Sequence, residues 1–316
     1  DQSGIVPRGA IQMIAGPTGD LLDHLIAQDL VSFTGSEETG SLLKSHPNIL
    51  KNAVRFISEQ DSLNATVLGP DIHPDDPDFS IFIKEITHEL TSKSGQKCTA
   101  IRRILVPQEN VQYVIQALRV KLSEIAIGDP REEQTDMGSL VSLAQFEDVL
   151  NKVNIIAQDA DVVIGKIPKG VPLKGAFFAP ILFNCKDPDL ASNVHSVEAF
   201  GPVATIMGYR DLDHAIFLLN KGGGSLVASV VTKSGDVARE VSYRCSPWHG
   251  RLYFNNFESA KSSTGHGSPL PHMIHGGPGR AGGGEEMGGI RGVMQYMQRT
   301  AIQGHPSLLS AISGKH

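Results

Sequence analysis

Short apolar runs alternate with segments of helical periodicity along most of this 316-residue chain, and this alternation strongly constrains the fold. Short apolar runs are typical of buried strands, whereas apolar residues three and four positions apart are typical of amphipathic helices. Such alternation favours an α/β fold with largely parallel sheets. It predicts strands at residues 10–15, 30–33, 65–68, 101–106, 203–207 and 226–231, and helices at residues 20–26, 77–91, 111–126, 142–157, 212–219 and 292–302.

Charge and cysteine content narrow the class of protein. The net charge is −6 and no Lys/Arg run stands out, so nucleic-acid binding has no electrostatic footprint. The apolar runs are far shorter than the roughly 20 residues of a membrane span. The cysteines are Cys98, Cys185 and Cys245, an odd number without C-x-x-C, which argues against a disulfide framework or a zinc knuckle. We therefore predict a cytoplasmic protein with reduced thiols and with neither nucleic acid nor membrane as partner.

Cys98 lies in the segment K-S-G-Q-K-C-T-A-I-R-R, residues 93–103. Two interpretations stay open from the residues alone. A free cysteine is commonly a small buried hydrophobe. It can also be a nucleophile, since its thiolate would be favoured by Lys97, Arg102 and Arg103 if these cations face the sulfur.

Residues 31–40, V-S-F-T-G-S-E-E-T-G, run from an apolar strand into a helical segment. Amides at a helix N-terminus together with the Ser36 hydroxyl suit a phosphate or pyrophosphate. Alternatively, Ser36 only caps the helix, with Glu37 or Glu38 in the first turn. Spacing alone does not separate these two hypotheses.

Two further segments carry an acidic residue next to a predicted strand. Glu59 precedes residues 65–68 and could act as a general base for water, or could be a solvated surface charge. Glu198 and Phe200 lie in V-E-A-F-G-P-V, residues 197–203, just before another strand. They could hold a ribose and a flat ring, or they could only form a turn.

Two patterns near the C-terminus are set aside. Residues 277–282, G-P-G-R-A-G, fit G-x-G-x-x-G, but no clear strand precedes them and Pro278 lacks an amide hydrogen. His266, His272 and His275 match no familiar ligand spacing. We therefore predict neither a dinucleotide fingerprint nor a metal site in this region.

The order of the motifs is more specific than any one of them. F-T-G-S-x-x-T-G, a glutamate before a strand, G-Q-K-C and V-E-A-F-G-P-V follow one another in an order that resembles the aldehyde dehydrogenase superfamily over essentially the whole chain. Residues 56–64 and 262–289 depart from the common pattern and look like the bifunctional phenylacetate-degradation (PaaZ) family. That family joins an aldehyde dehydrogenase domain to a C-terminal MaoC-like enoyl-CoA hydratase domain.

The resemblance implies a chemistry for two residues. Cys98 would add to an aldehyde to give a thiohemiacetal, hydride transfer would leave a thioester, and Glu59 would activate water to hydrolyse it. The implied substrate is a CoA-linked semialdehyde of the 3-oxo-5,6-dehydrosuberyl-CoA type, in phenylacetate catabolism. The similar dehydrogenase of the benzoyl-CoA epoxidation pathway makes 3,4-dehydroadipyl-CoA semialdehyde the alternative.

The resemblance also implies a cofactor, NADP or NAD. Thr34 would lie near the nicotinamide, Gly35 would allow close backbone approach and Ser36 would lie near the pyrophosphate. Glu198 would hold the nicotinamide ribose, with Phe200 packed beside the ring.

By the same resemblance, the chain divides into three parts. Residues 1–61 would be the C-terminal part of a parallel-sheet cofactor domain, residues 62–280 an α/β catalytic domain, and residues 281–316 a helix returning to the cofactor domain plus an oligomerisation or linker segment. The family's Pro-Trp-Asn motif and upstream lysine segment are absent, so we expect the C-terminal part of an aldehyde dehydrogenase unit, with an incomplete cofactor domain. Expected partners are further copies of the chain and a fused or separate hydratase domain. The alternative of another class is a truncated, inactive assembly or binding module.

Overall fold

The computed structural model describes residues 4–314, which form helices and strands in alternation. The α-helices are α1 (Glu37–Lys44), α2 (Pro47–Lys51), α3 (Pro77–Thr91), α4 (Val111–Ser123), α5 (Leu143–Ile156), α6 (Leu212–Asn220), α7 (Gly235–Cys245), α8 (Ile290–Gln295) and α9 (Pro306–Ser313). The strands are β1 (Leu30–Thr34), β2 (Arg55–Glu59), β3 (Ala65–Leu68), β4 (Arg103–Pro107), β5 (Asp161–Ile164), β6 (Ile181–Cys185), β7 (Val203–Tyr209), β8 (Ala228–Val231), β9 (Leu252–Asn255), β10 (Ile274–His275) and β11 (Glu286–Met287).

A seven-stranded sheet in the order β5-β6-β7-β4-β3-β8-β9 forms the centre of the molecule. Its neighbours pair in parallel, except that β5 runs antiparallel to β6. Every residue of β3, β4, β7 and β8 is buried, as expected for parallel strands covered on both faces. The predicted α/β class with a largely parallel sheet is confirmed.

Helices pack against the seven-stranded sheet and form two hydrophobic cores with it. One core takes in the apolar faces of α5, α6 and α7, with Val153, Leu218 and Val241 among its members. The other takes in α3 and α4, with Phe82 and Leu118 among its members. Apolar residues three and four positions apart supply these faces, so the helical pattern in the sequence reports the real packing.

The predicted strand at residues 10–15 is wrong. This segment has no strand structure in the described chain, and Ile11 and Met13 are 80% and 94% exposed. A strand needs a neighbour for its backbone hydrogen bonds, and no other described strand pairs with these residues. The predicted helix at residues 20–26 is only a short 3₁₀ turn, Leu21–His24.

β1 and β2 form a separate two-stranded parallel sheet, and a small core of Leu22, Ile49 and Val54 packs beside it. The chain changes from this sheet to the large one between Glu59 and Ala65. The domain boundaries at residues 61/62 and 280/281 stay a prediction, and residues 1–3 and 315–316 lie outside the described part.

The C-terminal helix differs from its predicted bounds of 292–302. α8 ends at Gln295, where the Arg55 guanidinium donates to the carbonyls of Gln295 (2.9 Å) and Met297 (3.1 Å). A cation at the last carbonyls of a helix satisfies groups that have no helical partner. α9 then begins at Pro306 as a separate helix. Within residues 4–314, every helix is too short or too polar to cross a membrane.

Candidate active site

A cleft of about 360 Å³ lies beside the junction of the two sheets. Seven residues predicted from the sequence, in four distant segments, all line this one cleft: Thr34, Gly35, Ser36, Glu59, Cys98, Glu198 and Phe200. The remaining lining residues are Gln60, Asp61, Gln145, Asp148 and Lys152.

The first wall is built by the carboxyl ends of β1 and β2. Their parallel register places Thr34 beside Glu59, and the Gly35 amide donates to the Glu59 carbonyl at 3.1 Å. A Cβ on Gly35 would lie 2.5 Å from the Phe33 ring, so a side chain at this position would collide unless the ring moved. Adjacent carboxyl ends of parallel strands are where α/β proteins commonly bind ligands.

Ser36 is the N-cap of α1. Its hydroxyl oxygen accepts from the Thr39 amide at 3.2 Å, so the capping interpretation is confirmed. The backbone amide of Glu37, the first residue of α1, donates to the Asp61 carboxylate at 3.1 Å. The role of Ser36 beside a pyrophosphate stays a prediction.

The loop carrying Cys98 is fixed by its neighbours. Gly95 has φ of +69°, and a Cβ there would collide with the Gly201 carbonyl, so both the turn and the close approach require glycine. On the other side, the Asn64 amide group donates to the Cys98 carbonyl at 2.7 Å. The thiol is therefore presented from a backbone that is held at both ends.

Arg102 joins this loop to the turn that bears Glu198. Its buried guanidinium donates to Glu198 (3.2 Å) and to the carbonyls of Gly201 (2.7 Å) and Gly95 (2.9 Å). It also lies 5.5 Å from the centre of the Phe200 ring, within cation–π range. Burial raises the pKa of Glu198, although the Arg102 charge opposes that shift.

The hypothesis that nearby cations lower the pKa of the Cys98 thiol is wrong. Lys97 pairs with Glu89 at 2.7 Å, Arg102 with Glu198, and Arg103 donates to carbonyls at the end of α6. Consecutive side chains leave the backbone in different directions, so closeness in sequence did not bring these charges to the sulfur. Burial, followed by the negative charge of Glu59, instead raises the pKa of Cys98 to about 12.

His275 contacts both Cys98 and Glu59. Its Nε2 lies 3.6 Å from the Cys98 Sγ and 3.1 Å from a Glu59 carboxylate oxygen. Burial alone would raise the pKa of Glu59, but the hydrogen bond and charge of His275 outweigh it and lower that pKa. The Glu59 hydrogen bond in turn raises the pKa of His275. These shifts favour the charged forms of Glu59 and His275 and the neutral form of the Cys98 thiol.

A second carboxyl group adjoins this pair. Glu286 lies opposite His275 in the β10–β11 hairpin and interacts with the side chains of Glu59 and Thr34. Burial and the Glu59 charge raise the pKa of Glu286. Two carboxyl groups at short range favour one proton between them, so the cleft has a group that can hold a proton close to Glu59.

Sequence reasoning missed His275 because its partners lie far away in the chain. The glycine-rich segment after it packs on β2: Ser58 donates to the Gly282 carbonyl at 3.0 Å, and the Gly284 amide donates to the Ser58 carbonyl at 3.1 Å. This packing carries His275 to the cleft. The G-x-G-x-x-G pattern forms a 3₁₀ turn at Gly279–Ala281, and the two-residue strand β10 ends just before it. Its rejection as a dinucleotide fingerprint stays a prediction.

Comparison with known proteins agrees with the motif order. The model of the aldehyde dehydrogenase family matches residues 2–302. This chain belongs to the aldehyde dehydrogenase family. It is 40% identical over 282 residues to 3,4-dehydroadipyl-CoA semialdehyde dehydrogenase from Aromatoleum evansii, covering 88% of this chain and 55% of that protein. It is 52% identical over 177 residues to protein MaoC from Klebsiella aerogenes, covering 56% of this chain and 52% of that protein.

Solved aldehyde dehydrogenases share the fold as well. A point mutant of betaine aldehyde dehydrogenase from Staphylococcus aureus, in complex with NAD⁺, has a TM-score of 0.71 and 28% identity, covering 85% of this chain and 51% of that one. An oxidoreductase from Marinobacter aquaeolei has a TM-score of 0.77 at 22% identity, covering 93% and 57%, which shows the fold alone. The chain thus spans about half the length of the relatives that it matches.

Proposed function

We propose that this chain carries the nucleophile and general base of an NAD(P)-dependent dehydrogenase that oxidises a CoA-linked semialdehyde to its acid. The observation that carries the proposal is the meeting of Cys98, Glu59 and the five predicted cofactor residues in one cleft. Membership of the aldehyde dehydrogenase family supports the reaction type.

The first step is activation of a thiol that is neutral at rest. Glu59 is the group placed to take the Cys98 proton, since it lies beside the sulfur as a carboxylate. The Nε2–H of His275, 3.6 Å from the Cys98 Sγ, then donates to the new thiolate. The imidazolium that was paired with the Glu59 carboxylate thereby stabilises the negative charge on the sulfur. The thiolate adds to the aldehyde carbon: the C–S bond forms, the C=O π bond breaks onto oxygen, and the product is a thiohemiacetal oxyanion.

The second step transfers a hydride from that carbon, leaving a thioester on Cys98. A nicotinamide cofactor, when bound in the cleft, would accept this hydride. The cleft fits such a group because the first turn of α1 and the backbone at Gly35 form one wall, and Phe200 offers an apolar surface opposite. Thr34 and Ser36 would position the cofactor. Glu198, held in place by its ion pair with Arg102, would hold the ribose of the cofactor.

The last step is hydrolysis. Glu59, ionised again after passing its proton on, takes a proton from water as the oxygen attacks the thioester carbonyl. The tetrahedral intermediate re-forms its C=O bond and breaks its C–S bond, the acid leaves, and the Cys98 thiolate takes the proton held by Glu59. The proton that Glu59 took from Cys98 passes to solvent water, since Glu286 beside it already favours its protonated form.

The acyl chain is the finer part of the proposal. The phenylacetate-type substrate, 3-oxo-5,6-dehydrosuberyl-CoA semialdehyde, is supported by the resemblance to the bifunctional family and by the 52% identity to protein MaoC. The alternative, 3,4-dehydroadipyl-CoA semialdehyde, is supported by the relative of that name, which matches 88% of this chain. Self-association, a hydratase partner and a cytoplasmic location complete the proposal.

The test is a comparison of turnover in the complete natural polypeptide. Purified enzyme would be given each semialdehyde with NAD⁺ and with NADP⁺, and kcat/KM would be measured for all four combinations. Cys98→Ala should abolish oxidation of whichever pair is preferred, while the buried and distant Cys185→Ala serves as the matched control. Substantial turnover by Cys98→Ala would overturn the nucleophile assignment.

A further inference from the structure

The cleft also assembles a set of metal-ligating atoms. A carboxylate oxygen of Glu59, the Sγ of Cys98 and the Nε2 of His275 all lie within 4.8 Å of one another. The sulfur–nitrogen distance is 3.6 Å and the nitrogen–oxygen distance is 3.1 Å. These atoms come from three separate segments: the end of β2, the loop before β4, and β10.

The spacing matches that of ligands around one tetrahedral ion. Zinc lies about 2.3 Å from sulfur and about 2.0–2.2 Å from nitrogen or oxygen. At tetrahedral angles such bonds place neighbouring ligand atoms roughly 3.3–3.6 Å apart. The two observed distances fall close to that range, so small side-chain movements would bring the three atoms to bonding distance of a common centre.

The chemistry of the atoms selects the class of ion. Thiolate and imidazole are ligands for zinc, whereas magnesium and calcium prefer oxygen atoms alone. Three protein ligands leave a fourth position for water, facing the cleft.

We propose that this chain binds one Zn²⁺ ion through Glu59, Cys98 and His275, and that the ion reversibly blocks the thiol. On binding, the thiol proton and the imidazolium proton pass to solvent, the Glu59–His275 hydrogen bond is replaced by two bonds to the ion, and no redox change occurs. Only the inhibitory consequence rests on the proposed dehydrogenase function. The metal binding itself does not.

The site has the support that a metal site needs. The side chains of Glu59 and His275 are 5% and 15% exposed, so their orientations are set by packing rather than by solvent. Asn64 holds the Cys98 backbone through a 2.7 Å hydrogen bond, and Ser58 holds the segment after His275. Ligands fixed in this way lose little conformational entropy on binding.

The experiment titrates the reduced, metal-free 316-residue chain with Co²⁺, a spectroscopic substitute for Zn²⁺. We expect one equivalent of Co²⁺ to give a thiolate-to-metal charge-transfer band and the intense visible bands of a tetrahedral site. One equivalent of Zn²⁺ should remove both. Zn²⁺ should also slow alkylation of Cys98 by iodoacetamide at least tenfold, and a chelator should restore the rate.

Variants assign the ligands. Cys98→Ser should remove the charge-transfer band, and His275→Gln should weaken Zn²⁺ binding at least tenfold. The matched control is His272→Gln, because His272 is an exposed histidine three residues earlier and should leave affinity unchanged. Thermal unfolding of each metal-free variant checks that the fold is retained.

Two results would overturn the proposal. One is a Co²⁺ complex without a charge-transfer band. The other is a Zn²⁺ affinity that His275→Gln and His272→Gln alter equally. The titration needs no turnover, so it distinguishes failure of this proposal from failure of the dehydrogenase reaction.

Discussion

Glu59 with His275 and Glu85 with His266 are two glutamate–histidine pairs beside the same loop. Cys98 contacts the first pair through His275, and Thr99 donates to the carbonyl of Gly267, the residue after His266, at 3.3 Å. In the first pair a ring nitrogen faces the carboxylate at 3.1 Å, which raises the pKa of His275. The second pair has the same residue types, yet the pKa values of its glutamate and histidine are shifted in the opposite directions.

In the second pair, a carboxylate oxygen of Glu85 accepts a hydrogen bond from the backbone amide of His266 at 3.0 Å. The His266 ring itself is hydrogen-bonded to the Ser229 hydroxyl and not to Glu85. Burial then lowers the pKa of His266 to about 3 and raises that of Glu85 to about 7. The orientation of the imidazole therefore decides whether the effect of burial on the two pKa values is opposed by an opposite charge. In the second pair it is reinforced by like charges, those of Arg251 and Lys97 on His266 and that of Glu89 on Glu85. A glutamate and a histidine close in space form an ion pair only when the ring faces the carboxylate.

The sharpest test of this difference compares Glu59→Gln with Glu85→Gln in the complete enzyme. Glu59→Gln should lower steady turnover by about 10²–10⁴-fold, because the general base is lost. Pre-steady-state absorbance should show a slower burst of reduced cofactor than in the unsubstituted enzyme, because Glu59 also takes the Cys98 proton, followed by a stall at the thioester. Glu85→Gln should change turnover less than about threefold, since Glu85 does not line the cleft. Equal losses in both variants would end the distinction between the pairs.

A smaller effect is expected from the histidines. His275→Gln should lower kcat/KM about tenfold and move the acidic limb of its pH profile to higher pH, because His275 lowers the pKa of Glu59. His266→Gln should leave that limb in place. It should instead lower the free energy of unfolding by about 1–3 kcal/mol, through loss of a buried hydrogen bond to Ser229. An acidic limb unchanged in His275→Gln would contradict the charge assignment.

The smallest effect concerns stability alone. Glu85 has its pKa raised from 4.5 to about 7, so the folded state holds this proton more tightly than the unfolded state. Its contribution is present below pH 4.5 and is lost as pH rises towards 7, by at most about 3 kcal/mol. Urea unfolding between pH 4.5 and 8 should show this decline in the unsubstituted chain and a flatter profile in Glu85→Gln. Identical slopes would refute a raised pKa at Glu85.

Much of the fold could be predicted from local patterns. α3 occupies residues 77–91 as predicted, because Pro77 marks its first turn and apolar residues recur on one face. The segment at residues 10–15 looked equally apolar but is not a strand, since strand formation depends on a pairing partner that local sequence does not reveal.

The candidate site, like the fold, could be predicted from the sequence only in part. Motif order located Cys98, Glu59 and the residues of the opposite wall, and the fold places them around one cleft. It could not locate His275, whose contacts with Cys98 span 177 positions in sequence. Nor could it show that Arg102 faces Glu198 rather than the sulfur, because that depends on side-chain direction at a buried position.

The hydrogen bonds of the Arg102 guanidinium have a mechanical consequence. They tie the loop carrying Cys98 and the turn carrying Glu198 and Phe200 to one planar guanidinium. An aldehyde at the thiol and a ring against Phe200 would therefore keep a constant separation while the surrounding protein fluctuates. One arginine would thus set the distance between a bound aldehyde and a ring bound against Phe200.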